Sequence, residues 1–194
     1  MDIQPITLTG RVIRLEPANV AHAADLAKHG EPDIFNYSFP PPTFDEAGFA
    51  ALIATIEKRT NMQYFVIVHQ ETGEAIGATS YMDIQPNNRW LEIGSTWISK
   101  AYQGTAVNPE MKYMLLRHAF EEQDAIRVQL KTDKRNLQSQ RAIEKLGAKK
   151  EGVLRQHVIM WDGYIRDTVM YSILPDEWHN EVKPNLEARL GYAP

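Results

Sequence analysis

The segment from Trp97 to Phe120 constrains this chain more than any other stretch. Its first residues are β-prone, its middle (Gln103-Gly104-Thr105-Ala106-Val107-Asn108) is small and polar, and from Pro109 apolar residues recur at helical spacing. A strand that ends in a short loop and opens directly onto a helix turns several backbone N–H groups toward one point. The helix dipole adds partial positive charge there. Such a place suits phosphate. Asn108 is a good N-cap, and Pro109 is preorganised for a first helical turn. Gly104, Thr105 and Ala106 are small enough to let a ligand approach the backbone. No Lys-Ser or Lys-Thr follows a glycine at Walker spacing, and the three-glycine dinucleotide fingerprint is missing. The segment therefore reads as a cradle for a pyrophosphate that is not that of ATP or NAD; an ordinary strand-to-helix turn has the same spacing.

The flanking sequence alternates strand and helix signals. Arg11–Glu16 has period two, and Asn19 is placed to cap a helix that stops near Gly30. After Pro40-Pro41-Pro42, Thr43 with Glu46 forms a capping-box pattern for a helix reaching about Arg59. Gln63–His69, Ala75–Tyr81 and Trp90–Ile98 read as strands separated by turns, and Ile126–Lys131 as another. Leu137–Leu146 reads as a helix between an Asn136 N-cap and a Gly147 stop. Two last strands flank Asp162-Gly163, a strong hairpin signal. From Pro175 a polar tail is expected to be helical around Glu177–Arg189. The order β-α-α-β-β-β-α-β-α-β-β predicts one α/β (α+β) domain, residues 1–194, with its core at about 11–174 and a mixed, mostly antiparallel twisted sheet.

Composition narrows the chemistry. A chain of 194 residues that is 43% hydrophobic suits one well-packed domain. The net charge of −4 argues against nucleic acid as main partner. With no cysteine, disulfides, thiolate metal sites and a thiol nucleophile are excluded. The six histidines show no metal spacing, so no metal is expected. No apolar run approaches membrane-spanning length and no signal pattern opens the chain, so the expectation is a soluble cytoplasmic protein away from membranes. Asn36-Tyr37-Ser38 is then a chance sequon.

Two further places could carry chemistry. Lys131–Arg141 delivers a polar cluster from a strand end onto a helix start, with Asn136, Ser139, Arg141 and, one turn on, Lys145. Glu92 sits in the Trp90–Ile98 strand, and alternation puts it on one face with Trp90, Gly94 and Thr96. A carboxylate in a half-buried groove would have a raised pKa, as a general base needs; an exposed strand glutamate fits the pattern equally well.

Together these features resemble the GNAT superfamily of acyl-CoA-dependent N-acetyltransferases, and within it the RimJ/RimL-type protein N-acetyltransferases, over roughly Arg11 to Trp178. In that family the loop reads Gln/Arg-x-x-Gly-x-Gly/Ala and its amides hold the coenzyme A pyrophosphate. Here it is Gln103–Asn108, with Ala106 in place of glycine and Asn108 in place of glycine or alanine. Asn136–Ala148 is similar to the family's Asn-x-x-Ser-x-x-x-x-x-Lys-Leu-Gly segment. Many relatives carry a Tyr seven residues after that Asn as general acid; this chain has Ile143, and a RimL-like Ser falls at Ser139.

The resemblance implies acetyl-CoA as donor, held by Trp97, Ile98, Ser99, Gln103, Gly104, Thr105, Ala106, Val107, Asn108, Asn136, Ser139, Arg141 and Lys145. Glu92 would act as base and Ser139 as acid or thiolate stabiliser. Without cysteine, direct attack in a ternary complex is favoured. The acceptor implied is a peptide or protein N-terminal amine. A polyamine- or antibiotic-modifying enzyme and a non-catalytic acyl-CoA-binding module are the alternatives, and a homodimer is left open.

Overall fold

A computed structural model describes residues 1–37 and 40–192, so Ser38 of the sequon lies outside the described residues. Eight strands form one sheet: β1 (Leu8–Thr9), β2 (Ile13–Pro17), β3 (Gln63–His69), β4 (Ala75–Gln85), β5 (Trp90–Ile98), β6 (Arg127–Asp133), β7 (Lys149–Ile159) and β8 (Ile165–Ile173). Their spatial order is β1-β2-β3-β4-β5-β6-β8-β7. The helices are α1 (Ala23–His29), α2 (Glu46–Ile56), α3 (Val107–Arg117), α4 (Leu137–Leu146), α5 (Pro175–Glu177) and α6 (Lys183–Leu190). The expected order of elements is present, with the two-residue β1 added at its start.

Every neighbouring pair of strands is antiparallel except β5–β6. That parallel pairing covers only Trp90–Arg127, Leu91–Val128 and Glu92–Gln129. Beyond it β5 stays with β4 and β6 stays with β8, so the sheet parts into a V whose apex is at Glu92.

The sheet is covered on both faces, as the double apolar patterning requires. On one face, Ile13, Leu15, Phe65, Ile67, Tyr81, Leu91, Val128 and Leu130 pack with Met111 and Leu115 of α3, Ile143 and Leu146 of α4, and Trp178, Val182 and Leu186 near the C-terminus. On the other, Tyr64, Val66, Val68, Ala78 and Trp97 pack with α1 and α2. There the Trp97 ring lies 5.4 Å from that of Phe35 and 5.8 Å from that of Phe49.

Two caps differ from the sequence reading. At α2 the N-cap is Asp45, whose carboxylate accepts from the Gly48 amide at 2.7 Å, while Thr43 donates to Asp45. The side chain two residues nearer the helix has the shorter reach to the free amides. At α3 the helix begins two residues early, with Ala106 as N-cap and Asn108 inside the first turn. Asn19, Asn136 and Gly147 cap or stop their segments as expected.

Candidate functional site

Two helix starts meet at the opening of the V, and Glu92 stands at its apex. Ser99 hydrogen-bonds Ile76 across the sheet, and one short turn later the chain reaches the loop before α3. Gly104 has φ +79°, a left-handed conformation that glycine adopts without strain, and a Cβ there would meet nothing within 4 Å. Thr105 ties the loop down: its hydroxyl donates to Tyr102 O at 2.7 Å and accepts from the Val107 amide at 3.3 Å. Among the described residues, no hydrogen-bond partner is found for the amides of Gly104, Thr105, Ala106 and Asn108. The result is an open surface of unused donors at the positive end of an eleven-residue helix.

The second predicted cluster stands beside it. Gln138 of α4 donates to the Gln103 side chain at 3.4 Å, and Gln103 itself donates to Ile98 O at 3.0 Å. One chain of contacts therefore runs from the end of β5 through the loop to α4. Asn136 uses its carbonyl oxygen to cap α4 through the Ser139 amide at 3.0 Å. Ser139 is half-buried in the first turn. Arg141 is exposed and donates to Leu137 O at 3.2 Å, and Lys145 is exposed in the last turn. No hydrogen bond joins either of them to the 103–108 loop among the described residues.

Glu92 occupies the apex and is 1% exposed. Gln129 donates to its carboxylate at 2.9 Å, and the Lys131 ammonium lies 2.9 Å from the same oxygen. Burial pushes the Glu92 pKa up, against the opposing pull of Lys131 and Gln129. Gly94 makes room for it, because a Cβ at that position would stand 2.9 Å from Glu92 Oε1.

Thr96 does not share the Glu92 face, contrary to the alternation expected from sequence. The β4–β5 register slips between Ala78 and Ser80, and Ser95 takes φ +50°. This bulge inserts one residue into β5 and reverses the side chains that follow. Thr96 consequently points to the α3 side, where its hydroxyl meets that of Thr79 at 2.8 Å and lies 3.4 Å from Lys112 Nζ.

Lys112, Gln129, Arg166 and Thr168 have no counterpart in the sequence reading of the V, whereas Lys131 opens the polar cluster read there. Lys112 is 8% exposed within an otherwise apolar stretch of α3, and burial pulls its pKa down to about 7. Gln129 and Lys131 stand on β6 at alternate positions, facing Glu92. Arg166 Nε and the Thr168 hydroxyl on β8 are buried without a partner among the described residues. A lysine flanked by Met111 and Tyr113 in a core helix is the available signal for Lys112. Among the described residues, no group of three or more His, Asp or Glu could hold a metal ion, and no helix is long and apolar enough to cross a membrane.

The acetyltransferase (GNAT) domain family matches residues 13–149. A structure from T. thermophilus described as an acetyltransferase is 39% identical, with a TM-score of 0.90 over 98% of this chain and 100% of that one. A Bacillus subtilis (strain 168) protein named for ribosomal N-acetyltransferase activity, YdaF, is 32% identical over 109 residues. That match spans 56% of this chain and 58% of YdaF. Mycobacterium smegmatis RimJ, solved with CoA-disulfide, superposes with a TM-score of 0.79 over 96% of this chain and 95% of its own, a likeness of fold at 19% identity. With the family match running from β2 to the start of β7, the chain belongs to the GNAT acetyltransferases.

Proposed function

We propose that the chain moves an acetyl group from acetyl-CoA to the N-terminal α-amine of a peptide or protein, by direct attack in a ternary complex. The observation that carries this reading is the V itself. It has unused helix-start amides at its open end and a buried, proton-hungry carboxylate at its apex.

In this reading the amides of Gly104, Thr105, Ala106 and Asn108 and the α3 dipole hold the pyrophosphate, and Gln103 fixes the loop to the strand end through Ile98 O. Arg141 and Lys145 face solvent on α4, free to reach outlying phosphate. The backbone of Trp97 to Ser99, beyond the last β5–β6 pair, lines the donor arm and offers an amide to the thioester oxygen. Glu92 takes the proton released as the amine attacks, directly or through a water. Ser139 hydrogen-bonds the departing sulfur.

An extended peptide can lie along the unpaired edges of β5 and β6, using backbone hydrogen bonds. An α-amine has an ordinary pKa near ~7.7–8.0 against ~10.4 for lysine, so a base of modest strength suffices. The name carried by YdaF and the fold shared with RimJ favour this acceptor over a polyamine. The test offers three acceptors: a peptide with a free N-terminus and blocked lysines, its mirror design, and a polyamine. Acetylation of the first is expected. Acetylation confined to lysine side chains or to the polyamine would remove the N-terminal assignment.

A further inference from the structure

The family's tyrosine position is Ile143, a core residue of α4, so the proton for the departing thiolate needs another source. A serine hydroxyl can hydrogen-bond sulfur but holds its own proton too tightly to be the final donor near neutral pH. Among the described residues, Lys112 is a buried cation at the V with no carboxylate in ion-pair contact. It projects from α3, about 7.5 Å along the helix from Val107. Its hydrogen bond to the Thr96 hydroxyl is long, at 3.4 Å. Thr96 is exposed and stands just past the β5 bulge, beyond the last β5–β6 pair. Lys112 therefore reaches the V from the α3 face, and Glu92 reaches it from the opposite face.

Charged neighbours on the other packed elements are engaged elsewhere. On the same helix, Glu110 is turned to the amides of residues 11–13. From α6, Glu187 accepts from Tyr113, and from β2, Arg14 and Glu16 pair with each other. His118, six residues further along, contacts the Tyr81 hydroxyl. From β6, Lys131 is held by Glu92 and Asp83. From β5, Glu92 is the charge whose field reaches Lys112.

We propose that Lys112 is the proton donor to the thiolate that leaves during acetyl transfer; this rests on the reading of the V as the acetyl-CoA site. The amine nitrogen forms its bond to the thioester carbonyl carbon, and one amine proton passes to Glu92. The C–S bond breaks, its electron pair stays on sulfur, and the Lys112 ammonium gives that sulfur a proton. Thiol, amide, neutral lysine and protonated Glu92 result, and exchange with solvent restores the two side chains. Acid and base are then separated by the sheet, on the donor and acceptor sides of the bond being exchanged. Burial raises the Glu92 pKa and lowers that of Lys112, so each side chain is less firmly held in its charged form than it would be in water.

Three proteins decide it: wild type, Lys112→Met and Lys112→Arg, each checked for folding by its thermal melt. In wild type kcat is expected to fall on the alkaline side as the donor loses its proton. Lys112→Met should lower kcat by roughly 10²–10⁴ and lose that alkaline limb, with coenzyme A affinity near wild type. Lys112→Arg keeps the charge but does not release a proton near neutrality, so it should stay slow. Wild-type kcat in either variant, or an unchanged alkaline limb in Lys112→Met, overturns the proposal.

A second readout needs no acceptor and no turnover. The thiol of bound coenzyme A is titrated by its ultraviolet thiolate absorbance. It should ionise at lower pH in wild type than in Lys112→Met; identical titrations overturn the proposal. If coenzyme A binds but no amine is acetylated by wild type, the functional reading fails while this titration still tests Lys112. If coenzyme A does not bind, both fail.

Discussion

Glu92 and Lys112 are both buried ionisable groups, and burial shifts them in opposite directions, the carboxylate up and the ammonium down. For Glu92, as the proposed base, the consequence falls on the pH profile. It must be ionised to accept a proton, so the acid limb of kcat/KM should lie above the ordinary carboxylate range. Glu92→Gln should remove that limb and lower kcat by roughly 10²–10⁴ with coenzyme A binding nearly intact. Wild-type turnover across the pH range would exclude it as base. For Lys112 the consequence is also one of stability. Below about pH 7 folded and unfolded chains both hold the proton, and the folded state bears the full cost of a buried ammonium. Between about 7 and 10.5 the unfolded chain keeps the proton that the folded one has released, so stability rises with pH. Denaturant titrations should show that Lys112→Met flattens this rise and is most stabilising at the acid end. A Lys112→Met protein with the wild-type pH slope would contradict the burial argument.

At the scale of elements, the limits of α4 and the small-residue loop before α3 are legible in the sequence because they rest on local chemistry. Asn136 caps α4, Gly147 ends it, and the small residues before α3 leave amides unused. Sequence reading fails where two candidates compete within a turn, as with Thr43 and Asp45, or where a long-range pairing decides. The bulge at Ser95 is of the second kind. Strict alternation places Thr96 beside Glu92, and only the register against β4 reverses it. Lys112 escapes for a related reason: helical periodicity marks its neighbours as core, but the cleft it enters exists only because β5 and β6 part. The prediction at this scale concerns the loop before α3. Gly104→Asp puts a negative charge and a Cβ at a left-handed position facing the unused amides. Coenzyme A binding measured by calorimetry should weaken by at least ~1–3 kcal/mol, the size of a disrupted charge-assisted contact. Unchanged affinity in a folded Gly104→Asp protein would move the site elsewhere.

Across the whole molecule, the donor-side helix is fixed by contacts from both ends of the chain. Glu110 of α3, wholly buried, accepts from the amides of Arg11, Val12 and Ile13, each at 2.8 Å, and from the Tyr192 hydroxyl. Trp178, Val182 and Leu186 fill the same core from the C-terminal side. Glu110→Ala would leave three backbone donors unsatisfied and should cost at least about 3 kcal/mol in denaturant unfolding. A loss below about 1 kcal/mol would show that water replaces the carboxylate at little cost. The central claim is that the V brings donor and amine together for direct transfer. It is tested most directly by initial-rate kinetics of thiol release, varying acetyl-CoA and an N-terminally free, lysine-blocked peptide together. The account predicts intersecting double-reciprocal lines, release equal to peptide acetylated, and no burst without peptide. Parallel lines with a burst of thiol in the absence of peptide would contradict it.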